Sequence, residues 1–547
     1  MVEQQVTEAG RESAATNQPR LKVLVKEKIS QAGIDLLAEK FEVEVDTGMS
    51  DEELTSRINE YDALIVRSQT QVTAEMLEKS TRLKVIGRAG SGVDNIDVRA
   101  ATKRGILVAN APESNAVAAA EHALALLMAQ VRQIPQAHQS LRAGKWERSK
   151  FKGVELTGKT LGLVGLGRIG LLVAQRARGL RMEVIGYDPY VALSRFRENG
   201  IEPAETPEDV FSRADFISIH LPKNQETLGF IGDEEFAKMK DGVRIVNAAR
   251  GGIIEEGALV RALESGKVAS AGIDVFEKEP APADHPFFGF DNVVVTPHLG
   301  ASTEEAQDKA GVIIAEQVAA ALENKFVSNA VNVPPIPDEA MEVLGPFLPL
   351  AETLGKLLRE IADGPLAKVT VRYEGQLADL DTKLLTLSVL KGVFEGRVEE
   401  PVNVVNAAAI AEERGLKVSE VSEHQARDYT NLITVETEDR RGALTVGGTT
   451  IGPKHKPRLV KVYRHDIDIE PAKHMAFFQY EDVPGMIGKV GTVLGERGIN
   501  IAFMNVGRKK VEGKAVMGVA LDERLPQEVM DEIVAMDGFY EGRVVEL

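Results

Sequence analysis

Gly165-Leu-Gly-Arg-Ile-Gly170 follows the apolar run Thr160 to Val164 and opens a stretch of helical periodicity. A strand that turns sharply into a helix needs a tight turn (Gly165), a place where an outside group can come up against the backbone (Gly167), and close helix–strand packing (Gly170). Arg168 and Ile169 lie between them in the first helical turn, where unpaired backbone N–H groups can receive a pyrophosphate. Asp188 stands 18 residues beyond Gly170, at the end of the next apolar run, Glu183 to Tyr187. A carboxylate there accepts hydrogen bonds from an adenosine ribose and repels a 2′-phosphate, so the pattern predicts a dinucleotide site that favours NAD over NADP. The bland alternative is a ligand-free glycine turn with Asp188 capping before Pro189. It is the weaker reading, because strand, turn, helix and acid occur in the required order.

Outward from that unit, the apolar runs Phe216 to Ile219, Arg244 to Asn247 and Val293 to Thr296 continue the series. An earlier set, Leu21 to Val25, Phe41 to Val45, Ala63 to Val66 and Val85 to Gly87, precedes it, and an alanine-rich helical stretch from about Glu113 joins the two. Short apolar runs alternating with helices predict two doubly wound parallel sheets of α/β class rather than a barrel. Val331-Asn-Val-Pro-Pro-Ile-Pro-Asp338 stiffens the chain and marks a boundary. A mixed α/β stretch follows to about Glu470, with Pro453-Lys-His-Lys-Pro457 expected to interrupt its later part. In the last segment His474 to Tyr480 reads as a strand, and Met486, Ile487, Val490, Val493 and Leu494 form one apolar helix face. Ile499, Ile501 and Phe503 alternate with polar or small residues, as do Ala515, Met517, Val519 and Leu521; Pro526 opens a second helix and a last strand lies near Arg543 to Val545. That order predicts a ferredoxin-like sandwich.

Composition removes several function classes. The 547 residues are too many for one core, and 83 acidic against 65 basic side chains give a net charge of -18. Such a surface repels phosphate backbones and anionic lipid, which argues against nucleic acid and membrane partners. A small anionic substrate would need a local basic pocket. Cysteine is absent, so disulfides, thiolate nucleophiles and Cys-held zinc are excluded, and no metal is expected. Residues 1–20 carry Glu3, Glu8 and Glu12 and lack the apolar core of a signal peptide, which predicts a disordered tail on a cytoplasmic protein.

Removing hydride from a secondary alcohol requires a base for the hydroxyl proton, a cation for the substrate carboxylate and a group that orients the base. Asn247-Ala-Ala-Arg-Gly-Gly252, Asp274-Val-Phe-Glu-Lys-Glu-Pro280 and Thr296-Pro-His-Leu-Gly-Ala-Ser302 each follow a strand, where open parallel sheets bind ligands. At these motifs the chain resembles the D-2-hydroxyacid dehydrogenase family from about Leu21 to Asn332. The resemblance implies that His298 is the acid/base, that Glu279 hydrogen-bonds its imidazole and that Arg250 binds the substrate carboxylate. It further implies that Ala248, Ala249, Arg250, Asp274, His298, Gly300 and Ala301 line the cofactor. Taken singly, each catalytic candidate could be structural: a satisfied histidine, as supposed for His122 and His138, a surface ion pair, or a member of an acidic loop with Glu277.

Within the family the similarity is nearest to the long-form D-3-phosphoglycerate dehydrogenases, through Val66-Arg-Ser68, Gly87-Arg-Ala-Gly-Ser-Gly-Val-Asp-Asn95, Asn110-Ala-Pro-Glu-Ser-Asn115 and Gly144-Lys-Trp-Glu-Arg148. It implies a substrate site at Arg67, Arg88, Ser91, Gly92 and Arg148, the arginines answering the need for local positive charge. It also implies that Trp146 and Arg148 reach across the interface of a homodimer or homotetramer. Gln479 to Gly488 with Gly498 to Ile501 resemble an ACT signature, which implies L-serine as effector at Tyr480, Asp482 and Asn500.

The organisation expected is a tail over 1–20 and a flavodoxin-like substrate domain over 21–112 plus 301–332. A Rossmann NAD domain over 113–300, an α+β intervening domain over 333–470 and a ferredoxin-like ACT domain over 471–547 complete it. Two competing readings are a dehydrogenase for another 2-hydroxyacid, such as 2-hydroxyglutarate, and an NAD-sensing corepressor-type binding protein. Overall acidity and the C-terminal domain argue against the second.

Overall fold

The computed structural model describes residues 20–398, 401–425, 428–440, 442–508 and 513–547, so the expected tail lies outside the described residues except for Arg20. Four sheets follow one another along the chain. The first is wholly parallel, ordered Glu42–Val45, Lys22–Val25, Ala63–Val66, Val85–Arg88, Leu107–Asn110, which is the flavodoxin-like order. The second has seven parallel strands: Val293–Val295, Val268–Ile273, Val243–Asn247, Phe216–Ile219, Thr160–Val164, Glu183–Tyr187 and Glu202–Pro203. Its direction of winding reverses between Thr160–Val164 and Phe216–Ile219. That is where a doubly wound sheet leaves a crevice at the carboxyl ends of its strands.

The helix Glu304–Leu322 returns to the first sheet and lies against the helix Gln31–Ala38 and the strand Val85–Arg88. Glycines make the approach possible: a Cβ at Gly33 would lie 2.5 Å from the Gly311 carbonyl oxygen, and one at Gly87 would lie 2.7 Å from Val318. Ala310, Ile314 and Val318 complete that core. The long helix Ala116–Arg132 connects the two sheets and lies on the second.

Beyond Asn332 the chain forms a mixed six-stranded sheet, with Lys368–Gly375 and Lys417–Glu423 parallel and the other neighbours antiparallel. Pro453 to Pro457 does not interrupt it. Gly452 and His455 take φ of 70° and 49°, and the segment turns a hairpin between Gly442–Ile451 and Lys456–Val462. Only one short joint ties this unit to the first sheet by hydrogen bonding of side chains beyond the linker: Asn403 Nδ2 donates to the Gly105 carbonyl at 2.6 Å, among the bonds of the described residues.

The last sheet is antiparallel, ordered Ile501–Arg508, Lys514–Leu521, His474–Glu481, Phe539–Glu546, with helices Met486–Glu496 and Gln527–Val534. This is the ferredoxin-like order. One face differs from the alternation expected from sequence: a register shift between Ile501 and Phe503 turns Phe503 outward, 44% exposed, and turns Met504 and Val506 toward the core. Among the described residues no helix is long and apolar enough to cross a membrane.

Candidate active site

The loop after Val293–Val295 carries His298 in a left-handed conformation, φ 53°. A non-glycine residue holds that backbone only where its surroundings over-determine it. Asp274 supplies those surroundings. Its carbonyl accepts from His298 N at 2.8 Å, and its carboxylate accepts from Leu299 N, Gly300 N and the Thr296 hydroxyl at 2.7, 2.9 and 2.6 Å. The side chain is fully buried. Burial favours its neutral form, but the hydrogen bonds of His122, Thr296 and Leu299 prevail and hold the carboxyl below its ordinary range. Asp274 was expected on the cofactor. Because it is fully enclosed, it can act there only through the loop it holds.

His298 Nδ1 lies 2.7 Å from Glu279 Oε2, and Glu279 Oε1 accepts from Phe276 N at 3.1 Å. Burial raises the Glu279 pKa, but the bonds to His298 and Phe276 outweigh it and leave the carboxyl lowered. An ionised carboxylate only accepts, so Nδ1 carries the hydrogen and Nε2 keeps its lone pair for a substrate.

Both side chains border a cavity of about 990 Å³ between the first and second sheets, which Arg67, Arg88 and Arg250 also line. Arg250 follows the strand Val243–Asn247, and its Nη1 donates to the Ala249 carbonyl at 2.7 Å while Nε donates to Asp94 at 3.1 Å. A Cβ at Gly92 would run into Arg250 Nη2, so a side chain there would displace the guanidinium from its present place against the first-sheet loop. Burial, reinforced by the like charge of Arg250, pushes Arg88 down to about 10, and its Nε is buried without a hydrogen-bond partner. An enclosed cation with an unused donor beside two more arginines is a built anion site. Glu27 holds the Arg67 loop by accepting from the backbone of Arg67, Gln69 and Thr70. Ser91 turns elsewhere: its hydroxyl bonds Asn115 Oδ1 at 2.7 Å. Arg148 is exposed and does not line the cavity within this chain, and Trp146 is 82% exposed.

The glycine-rich turn fits a dinucleotide. Gly165 has φ 93°, and a Cβ there would lie 2.6 Å from the His220 carbonyl oxygen; a Cβ at Gly170 would collide with the Gly165 carbonyl. Gly167 has nothing within 4 Å of its would-be Cβ, and the helix Arg168–Gly179 begins there without a side-chain cap. Asp188 accepts from Leu166 N at 2.8 Å and Tyr190 N at 2.9 Å, closing the turn while each oxygen keeps a further lone pair. The Arg168 side chain leaves the turn for Glu113, 2.8 Å away, and the backbone N–H groups of Arg168 and Ile169 stand in the uncapped first turn of the helix. Ala248, Ala249, Gly300 and Ala301 lie on the two loops that carry Arg250 and His298, with Ala301 on the cavity wall. Among the described residues no group of His and acidic side chains is placed to hold a metal.

In the C-terminal unit, Tyr480 departs from expectation. It is 2% exposed with its ring 5.8 Å from Phe539, a core residue without free surface in one chain. Asp482 lies 3.4 Å from Arg508, and Asn500 donates to Asp522 at 2.7 Å. The helix Met486–Glu496 has no side-chain cap. Sequence reasoning missed Glu27, Asp94, Asn115 and His122. The partners of His122 lie up to 174 positions away, so nothing local marks it.

Three family models match the chain. Residues 124–300 match the NAD binding domain of D-isomer specific 2-hydroxyacid dehydrogenase, 343–463 the D-3-phosphoglycerate dehydrogenase intervening domain and 474–538 the ACT domain. A D-3-phosphoglycerate dehydrogenase of Archaeoglobus fulgidus is 44% identical over 530 residues, covering 96% of this chain and 100% of that protein. One of Bacillus subtilis is 40% identical over 527 residues, covering 96% of this chain and 99% of its own. Among solved structures, a glyoxylate reductase from Paecilomyes thermophila aligns with TM-score 0.53 and 32% identity over 57% of this chain and 99% of its own. Holo D-mandelate dehydrogenase from Rhodotorula graminis does so with TM-score 0.53 and 28% identity over 57% and 98%.

Proposed function

The chain belongs to the D-isomer-specific 2-hydroxyacid dehydrogenases, in the branch of the long D-3-phosphoglycerate dehydrogenases, and from that membership we propose how its own residues divide the work. It is an NAD-dependent oxidoreductase that converts D-3-phosphoglycerate to 3-phosphohydroxypyruvate, the first step of L-serine biosynthesis. The observation that carries the residue roles is the His298–Glu279 pair, 2.7 Å apart, at the edge of a cavity with three arginines.

Backbone N–H groups of the Gly165–Gly170 turn hold the pyrophosphate and Asp188 the adenosine ribose. Bound NAD supplies the hydride acceptor. Arg250 and the Gly92 loop take the substrate carboxylate, and Arg67 with Arg88 take the phosphate. His298 Nε2 removes the hydroxyl proton as the C2–H bond gives up its hydride, and the carbonyl forms. Glu279 stabilises the resulting imidazolium, and in reverse the same nitrogen returns the proton.

A panel of hydroxyacids and their oxoacids tests this. Reduction of 3-phosphohydroxypyruvate should give the highest kcat/KM. Unphosphorylated oxoacids should fall ~10²-fold or more below it, because each hydrogen bond between charged groups contributes ~1.5–3 kcal/mol. A far better kcat/KM with 2-oxoglutarate would reassign Arg67 and Arg88 to a second carboxylate.

The ACT unit supports regulation by L-serine at the edge of the Met486–Glu496 helix. Asp482 offers a carboxylate to the ammonium, the uncapped helix start offers N–H groups to the carboxylate, and Asn500 completes the site from a second copy. The exposed Trp146 segment supports a homodimer or homotetramer. Equilibrium binding should show L-serine bound by the wild type and more weakly by Asn500→Ala. Absence of binding at millimolar serine would remove the regulatory reading and leave catalysis untouched.

A further inference from the structure

Asn115 is the N-cap of the helix Ala116–Arg132, and His122 lies seven positions further on, about two turns or ~10 Å along the axis. Asn115 accepts from the Ser91 hydroxyl at 2.7 Å, and Ser91 belongs to the first-sheet loop whose Gly92 touches Arg250. His122 Nε2 lies 3.1 Å from Asp274 Oδ1 and 3.1 Å from Thr296 Oγ1. The Thr296 hydroxyl spends its one hydrogen on Asp274, so both oxygens near Nε2 are acceptors and Nε2 must carry a hydrogen.

We propose that His122 is a positioning residue for the reaction, acting through Asp274 on His298 and tying the catalytic loop to the helix that begins at the substrate loop. This rests on His298 being the acid/base. Asp274 is the single group that wraps residues 296–300, and His122 is its only side-chain partner from outside that loop among the described residues. A buried carboxylate that loses a donor is left undersatisfied, and its neighbours shift to compensate. Here the neighbour is a histidine held at φ 53°, whose Nε2 must meet a hydroxyl within hydrogen-bond reach. The helix carries the other half of the coupling. Ser91 and Asn115 fix its start to the loop that meets Arg250, so a change in that loop reaches His122 through two rigid turns.

The test compares His122→Phe, His122→Gln and His298→Ala in the full chain. His122→Phe should lower kcat, by up to ~10²-fold, since a displacement of about 1 Å at a reacting group can cost that much. NADH affinity and the KM for 3-phosphohydroxypyruvate should change little. With NADH deuterated at the transferred position, its isotope effect on kcat should rise, because chemistry becomes slower than product release. His122→Gln, which keeps a donor, should recover most of the lost rate. If His122→Phe turns over normally while His298→Ala is inactive, the positioning role is wrong and the histidine assignment stands. If His298→Ala is itself active, the underlying reading has failed. If Phe and Gln variants lose NADH binding and rate equally, His122 serves the fold alone and the proposal is overturned.

Discussion

His298→Ala is expected to lower kcat in both directions by about 10²- to 10⁴-fold, the range general acid–base groups contribute, while sparing NADH binding. Both parts follow from the geometry. The imidazole bonds Glu279 through Nδ1 and leaves Nε2 to the cavity, whereas the glycine turn proposed for the pyrophosphate stands at the start of the helix Arg168–Gly179. Alanine also tolerates φ 53° no better than histidine does, so the change removes the proton carrier without relieving the backbone. Single-turnover rates and NADH fluorescence titration separate the two quantities. A kcat close to wild type would take the histidine out of the mechanism.

Arg250→Lys should lower kcat/KM for 3-phosphohydroxypyruvate by about 10- to 10²-fold, equivalent to losing one hydrogen bond between charged groups at ~1.5–3 kcal/mol. The guanidinium is already divided: Nη1 is on the Ala249 carbonyl, Nε is on Asp94, and Nη2 is beside Gly92. An ammonium concentrates its donors on one atom and cannot span those three directions. Retained charge would preserve some attraction for the anion, so the loss should exceed what charge alone predicts and fall on orientation. Steady-state kinetics decide it, and an unchanged kcat/KM would mean that the fork is not used.

Parts of this architecture are legible in the chain and parts are hidden for identifiable reasons. The glycine turn and the three loop motifs lie beside apolar runs, so local pattern finds them. The strand Val268–Ile273 escaped because Val-Ala-Ser-Ala-Gly-Ile has few large apolar residues. Packing explains that composition: a Cβ at Gly272 would lie 3.0 Å from Leu126 Cβ, and Ser270 donates to Gln130 at 2.8 Å, so the helix Ala116–Arg132 rests almost on the strand. Leu107–Asn110, also missed, carries only two large apolar residues, Leu107 and Val108, before Ala109 and Asn110. Phe503 misled because one extra residue in a strand exchanges its faces. Glu27 and His122 could not be found from sequence, since each gains its role from partners far along the chain.

The joint at Gly105 has a consequence for how the two halves of the chain stay together. Asn332 is pinned to the first sheet by accepting from Val108 N at 2.9 Å, and Ile336, four residues on, is already buried in the intervening core. As separate molecules the two halves would not be held by a contact as small as Asn403 on Gly105, because association forfeits ~4–15 kcal/mol of translational and rotational freedom. On so short a tether that loss has been met by the covalent bond, and the effective concentration of one surface for the other reaches the millimolar range. A contact this slight can then break and re-form many times without the halves ever parting, which makes the seam between the first sheet and the intervening unit reversible by construction.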